Sequence, residues 1–347
     1  MTLGRLVCAA IAAAVIYATP AVSQEAQLAE VFDFADIDGW ADDDHAAALE
    51  VFSQTCNLMD GPEWPQLCEI SKSAPSARMF FELFFRPVLI DDGAKPLFTG
   101  YFEPELDGSR YRTGRFRYPL YRRPPELKVG EAFLPRSEIS SGALAGRGLE
   151  IAWVDDPVEL FFLQIQGSGR IRMNDGSVMR VGYAAHNGHN YRSIGQELVR
   201  RGVYNRHQVS ADVIKNWVRR NPSDGAALLD SNPSYVFFRE VKDHAAKLGP
   251  IGAMNRPITA MRSIAVDPAF VPLGAPVWVD KGGETPLRRL MVAQDTGSAI
   301  KGAQRADIFY GTGDAAGAQA GRIKDDGRML VLMPIQLAYG LEERLSG

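Results

Sequence analysis

The sequence predicts a mainly β protein of the α+β class, with helices at the front and short strands behind. Three observations predict it. Residues 25–90 carry Ala, Leu and Phe at helical spacing, as in AAALEVF at 46–52 and MFFELFF at 79–85. From residue 232 onward, short apolar runs recur at near-regular intervals: SYVFF, RSIAV, APVWV, LMVA, DIFY and MLVLM. Each run stops at Gly, Pro or a charged residue or, for LMVA, one residue short of Asp295, the punctuation of a small barrel.

Between these regions, residues 98–134 break into short runs suited to strands and hairpins, and helical signals return between Tyr191 and Val218. No internal repeat and no low-complexity linker separates them, so closely packed domains are expected. The chain has 347 residues, enough for one to three domains.

The first residues set the compartment. One Arg, an apolar Ala-rich run and AlaValSer before Gln24 form the layout of a secretory signal peptide over 1–23. The apolar run from Leu6 to Tyr17 has 12 residues, where a membrane span needs roughly 20. Arg5, Leu6 and Val7 before Cys8 lack the small residue expected beside a lipidated Cys, so no lipobox is evident. The expectation is an exported, periplasmic protein, with outer-membrane association left open.

Export leaves Cys56 and Cys68, an even count that reads as one disulfide in an oxidising compartment, with two free thiols as the alternative. There are 38 Lys and Arg against 42 Asp and Glu, and removing Arg5 with the leader takes the net charge from −4 to −5. That balance argues against nucleic-acid binding.

The chemistry concentrates in 290–313, LMVAQDTGSAIKGAQRADIFYGTG. Asp295 follows one strand-like run and Asp307 opens the next, and Asp267 closes a third run just before Pro268. Carboxylates on facing strands suit acid/base catalysis; Asp beside Gly or Pro equally suits a turn. In FFLQIQGSGRI, alternation puts Gln164 and Gln166 on one face of a predicted strand, suited to sugar hydroxyls or to a solvated edge.

His186 and His189 stand three apart without HExxH or an evident third ligand, so no metal is expected. GTGDAAG at 311–317 misses the dinucleotide spacing, which excludes a nucleotide site, and no GxSxG or SxxK supplies a nucleophile. Gly297, Gly302, Gly311 and Gly313 read as turn residues, and Lys301 as solvated or orienting a carboxylate.

Five ordered segments carry a resemblance: TGYFEP at 99–104, QGSG at 166–169, NGHNYRSIG at 187–195, NPSYVFF at 232–238, and the run from Asp295 to Gly313. Together they resemble the membrane-bound lytic murein transglycosylase A family, and the last resembles the three-Asp domain whose aspartates match Asp267, Asp295 and Asp307. The resemblance implies a double-psi β-barrel, a second β-rich domain inserted into it, and a substrate groove between them. The implied division is a helical segment and barrel over 24–104 and 238–347, and an insert over 105–237.

It further implies cleavage of the β-1,4 bond between N-acetylmuramic acid and N-acetylglucosamine without water, leaving 1,6-anhydro ends. Asp307 would be the acid/base and Asp295 its support; Thr99, Tyr101, Gln166, Ser168, Asn187 and Tyr191 would line the groove. Expected partners are peptidoglycan strands, with cell-wall synthesis or division proteins as candidates, for a monomer needing no cofactor. The alternatives are a glycan hydrolase using both aspartates and a noncatalytic peptidoglycan-binding protein.

Overall fold

The computed structural model describes residues 28–242 and 247–346. The expected leader, Cys8 and the expected start at Gln24 lie outside the described residues.

Fifteen strands are found among the described residues. In chain order they are β1 (Leu28–Val31), β2 (Phe85–Asp91), β3 (Leu97–Glu103), β4 (Glu105–Ser109), β5 (Tyr118–Tyr121), β6 (Glu150–Val154) and β7 (Ser168–Met173). They continue as β8 (Val178–His186), β9 (Val236–Val241), β10 (Ser263–Val266), β11 (Pro276–Lys281) and β12 (Leu287–Thr296). The last are β13 (Arg305–Thr312), β14 (Lys324–Asp325) and β15 (Gly327–Pro334).

They form two sheets. Nine strands run in the order β1-β2-β15-β11-β12-β10-β13-β3-β14, and six in the order β5-β6-β4-β7-β8-β9. The chain leaves the first sheet at the end of β3 and enters the second through the single residue Pro104. It returns after β9 to supply β10.

The apolar runs reflect burial on both faces. Alternate residues Val277 and Val279, Met291 and Ala293, Met329 and Val331 share one core. The opposite parity, Trp278, Leu290, Val292, Leu330 and Leu332, packs against Phe52, Trp64, Phe80 and Phe81 of the N-terminal helices. A strand covered on both sides has no polar face, hence its unbroken hydrophobic sequence.

Those helices are His45–Thr55, Trp64–Ser71 and Ala77–Phe84. Asp44 and Ser76 cap the first and third by accepting from Ala47 N at 3.1 Å and Met79 N at 3.3 Å. Cys56 and Cys68 are joined by a disulfide that ties the end of the first helix to the second. The helical reading of 25–90 needs two corrections. Residues 28–31 form β1 because they pair antiparallel with β2, Leu28 opposite Asp91, and the aromatic run stops being helical at Phe85, which opens β2. Tertiary pairing overrides local propensity at both places.

Gln164 and Gln166 also sit differently from expectation: they lie in the helix Pro157–Gln166. Asp156 accepts from Val158 N at 2.8 Å, Pro157 takes the first turn, and Gly167 closes the helix at φ +77°. Caps at both ends defeat the alternation, and residues two apart on a helix do not share a face.

The Cys56–Cys68 bridge closes a loop with a sequence separation of 12. Replacing both cysteines with serine should lower unfolding free energy by about 3 kcal/mol, read as a fall in denaturant midpoint at unchanged slope. A midpoint equal to the oxidised parent's would show the bridge stabilises nothing.

Candidate active site

Asp295 and Asp307 do not sit on adjacent strands: β10 runs between β12 and β13. Ala265 of β10 is the register partner of Asp295 on one side and of Asp307 on the other, and Asp307 pairs in turn with Thr99 of β3. One row therefore crosses four strands as Asp295, Ala265, Asp307 and Thr99. Two strand spacings of about 4.8 Å set the aspartate backbones roughly 10 Å apart.

A bulge puts both carboxylates on one face. Along β12, Met291 and Ala293 point into the core shared with Ile264 and Ile308, so strict alternation would send Asp295 there too. Between Ile264 and Ala265 the register shifts, so that Ala293 pairs with Ile264 but Asp295 pairs with Ala265. The extra residue, Gln294, is bound instead to the N-terminal helices, donating to Val51 O and Thr55 Oγ1 at 3.2 Å each. Asp295 thereby joins the face of Ala265, beside Tyr101 and Phe309.

Each carboxylate has its own partners. The Thr99 hydroxyl donates to Asp307 Oδ1 at 2.6 Å and accepts from Arg305 Nη2 at 2.9 Å. The Tyr101 hydroxyl donates to Asp295 Oδ2 at 2.9 Å, while Ala253 N and Thr296 N donate to Oδ1 at 3.0 and 2.9 Å. Burial pushes Asp295 up to about 6, against the pull of these hydrogen bonds and with a smaller upward push from the charge of Asp307. Burial also raises Asp307, opposed by the Thr99 hydrogen bond and the positive charge of Arg305.

The other expected residues divide. Gln166 Oε1 accepts from Phe102 N at 3.1 Å, and Ser168 opens β7 after the intervening Gly167. Asn187 does not line the site: it is fully buried, donating to Leu134 O and Pro233 O at 2.9 Å each and accepting from Tyr235 N at 2.8 Å. Its amide pins loops together and has no atom left for a ligand. Tyr191 borders a surface depression with Arg192, Gln196 and Ser231, a lining that includes neither aspartate.

Asp267 follows the last residue of β10 and accepts from Gly302 N at 3.1 Å, with Lys301 Nζ at 3.3 Å, so its carboxylate shapes the turn before β13. Gly302, Gly311 and Gly313 take positive φ values of 114°, 113° and 85°, whereas Gly297 does not. His186 accepts from Gly188 N and His189 contacts Phe133 O; among the described residues no group of three or more His, Cys, Asp or Glu is set to hold a metal. Sequence reading missed Arg305, although it lies two residues before Asp307 and so shares its face.

A mixed two-sheet fold with two buried carboxylates on one row defines a class of protein equipped for acid/base chemistry. The MltA specific insert domain matches residues 97–239 and the 3D domain matches residues 262–333. The chain is 32% identical to a membrane-bound lytic murein transglycosylase from Agrobacterium tumefaciens, with a TM-score of 0.81, covering 92% of this chain and 99% of that one. It is also similar to Escherichia coli MltA with bound chitohexaose, at 29% identity and a TM-score of 0.72, covering 88% and 94% of the two chains.

Membrane-bound lytic murein transglycosylase A of Vibrio cholerae is 34% identical over 253 residues, 69% of this chain and 66% of that protein. The match thus spans just under two thirds of that relative's length. This chain belongs to the MltA family.

The raised carboxyl predicts a pH dependence of stability. With Asp295 at 3.8 when unfolded and about 6 when folded, the native state holds the extra proton, so stability falls as pH rises through that window. The loss is complete above about pH 6 and amounts to roughly 2–3 kcal/mol. Asp295→Asn can keep every hydrogen bond, with its amide donating to Tyr101. It should flatten the pH dependence between 4 and 6 and raise the denaturant midpoint at pH 7; an unchanged slope would refute the shift.

Proposed function

We propose that this chain is an exported peptidoglycan lytic transglycosylase, with Asp307 as its single acid/base. The observation that carries the reading is the pair of unequal carboxylates on one row, with Asp307 held by Thr99 and raised by burial. Support comes from family membership and from the names of the relatives: one is a lytic murein transglycosylase and another holds chitohexaose. The organisation that goes with it is a barrel unit over 24–104 and 238–347 and an insert over 105–237, with Thr99, Tyr101, Gln166 and Ser168 facing the glycan. Among the described residues no helix is long and apolar enough to cross a membrane.

In the proposed step, protonated Asp307 gives its proton to the glycosidic oxygen as the bond to muramic C1 breaks. The muramic C6 hydroxyl forms the new bond to C1 and passes its proton to the Asp307 carboxylate. Atoms balance without water, and the acid is regenerated. A bound sugar whose hydroxyl is already close makes this closure effectively unimolecular. Asp295, with its own hydrogen bonds, stabilises the positive charge developing at C1.

Mass spectrometry of the muropeptides released from purified peptidoglycan tests the reading. Anhydro products should appear with the parent, vanish with Asp307→Asn and persist at reduced yield with Asp295→Asn. Reducing-end products would make it a hydrolase, and no release by the parent would leave a binding protein.

The hydroxyl of Thr99 tunes the acid. Thr99→Val removes a hydrogen bond that favours the Asp307 carboxylate, so the alkaline limb of kcat/KM should move to higher pH while the maximum falls about tenfold or more. An unmoved limb would show that Thr99 does not set the acidity.

A further inference from the structure

The inserted six-stranded part holds a cavity of about 920 Å³ that contains neither aspartate of the row. Such a volume is within the range of small-ligand sites. Arg112, Arg117 and Trp153 form part of its wall, and Arg136, Gln164 and Tyr235 also line it. The Arg112 guanidinium lies 5.9 Å from the Trp153 ring centre, and that of Arg117 lies 5.8 Å from the ring of Tyr118.

Its charges are unevenly spent. Asp155 is paired with Arg115 and Asp156 with Arg219, at 2.7 and 2.8 Å. Arg136 is only 6% exposed and bonds to the carbonyls of Asn232 and Ser234, between the rings of Phe161 and Tyr235, with no carboxylate in hydrogen-bond contact. Gln164 is 4% exposed, its side chain lies beside the Tyr235 phenol, and its Oε1 has no hydrogen-bond partner. A buried acceptor without a donor costs about 1–3 kcal/mol and points to an N–H group brought by a ligand. Arg136 has the charge of Asp230 nearby, which leaves Arg112 and Arg117, neither of them in an ion pair among the described residues, to ask for an anion.

We propose that this cavity binds the peptide stem of peptidoglycan, its carboxylate held by Arg112 and Arg117 and its backbone N–H by Gln164. The inference rests on the glycan-cleaving reading above and adds the substrate group that the insert recognises. Asp230, which also lines the cavity, faces the amide or ammonium groups of the stem.

Reach supports the assignment. The helix Pro157–Gln166 holds Phe102 N at its last residue, beside Tyr101, and presents Pro157, Leu160 and Gln164 to the cavity. Its length is about 14 Å at 1.5 Å per residue. A four-residue stem spans about 13 Å at roughly 3.3 Å per residue, so a stem leaving a muramic unit near the row can enter the cavity.

Calorimetry with the free stem tetrapeptide, on Asp307→Asn protein, tests the site without catalysis. Binding should occur, weaken at least tenfold with Arg112→Ser plus Arg117→Ser and again with Trp153→Leu, and disappear when the peptide's carboxylates are amidated. On the catalytic parent, the same arginine pair should raise KM about fivefold for peptide-bearing strands and leave peptide-free strands unchanged. No binding by the parent, or equal binding by the variants, overturns the proposal. Absence of anhydro products from either strand type would fail the transglycosylase reading instead, while calorimetry still decides the site.

Discussion

Glu103 is the residue on which the arrangement of the two sheets depends. It ends β3, is fully buried, and accepts from Arg170 Nε at 2.9 Å, Arg180 Nη2 at 3.2 Å and Thr312 Oγ1 at 2.7 Å. Arg170 and Arg180 belong to β7 and β8 of the inserted sheet, while Thr312 belongs to β13 of the larger one. Arg180 also donates to Leu248 O at 2.6 Å and so anchors the segment leading to Ala253, a donor to Asp295. Oε2 takes all three of these hydrogen bonds, while Oε1 has none and lies 3.1 Å from Arg180 Nε as an ion pair; removing one partner from such a buried cluster strands the others at a cost of about 3–5 kcal/mol. The strand that carries Thr99 and Tyr101 to the two aspartates is therefore clamped at its far end to both sheets.

That clamp makes β3 a rigid ruler for the site. Thr99, Tyr101 and Glu103 alternate along one strand face, and each binds a different carboxylate or guanidinium. Gly100 between them is needed for space: a Cβ there would fall 2.8 Å from both Ala320 Cα and the Tyr310 ring. The helix Asp314–Ala320 can then close down over β3 and β13. The TGYFEP motif thus joins two functions, hydrogen bonds to the aspartates and close backbone approach.

What could be read in the sequence follows from what each signal depends on. The runs at β10, β11, β12, β13 and β15 were legible because burial on both faces leaves an apolar record that local composition displays. The aspartates were legible as a group but not as a row, since their common face depends on the bulge opposite Ala265, which only pairing with β10 creates. Gln164 and Gln166 misled because alternation and helix periodicity agree over so few residues, and the decision lay with Asp156 and Gly167 at the ends. Asn187 misled because a buried structural amide and a ligand-facing amide carry the same letter; its partners come from residues 134, 233 and 235.

The different environments of the two aspartates support the unlike roles proposed for them. Asp295 receives two backbone N–H donors and a phenol, a setting fixed by backbone and suited to holding a steady charge distribution. Asp307 receives one hydroxyl, itself fed by Arg305, and keeps acceptor capacity for a proton to come and go. The acid/base assignment rests on this asymmetry more than on acidity, because burial raises both groups. A group that must exchange a proton twice in one turnover needs free lone pairs facing the reacting atoms, and of the two Asp307 has more of them.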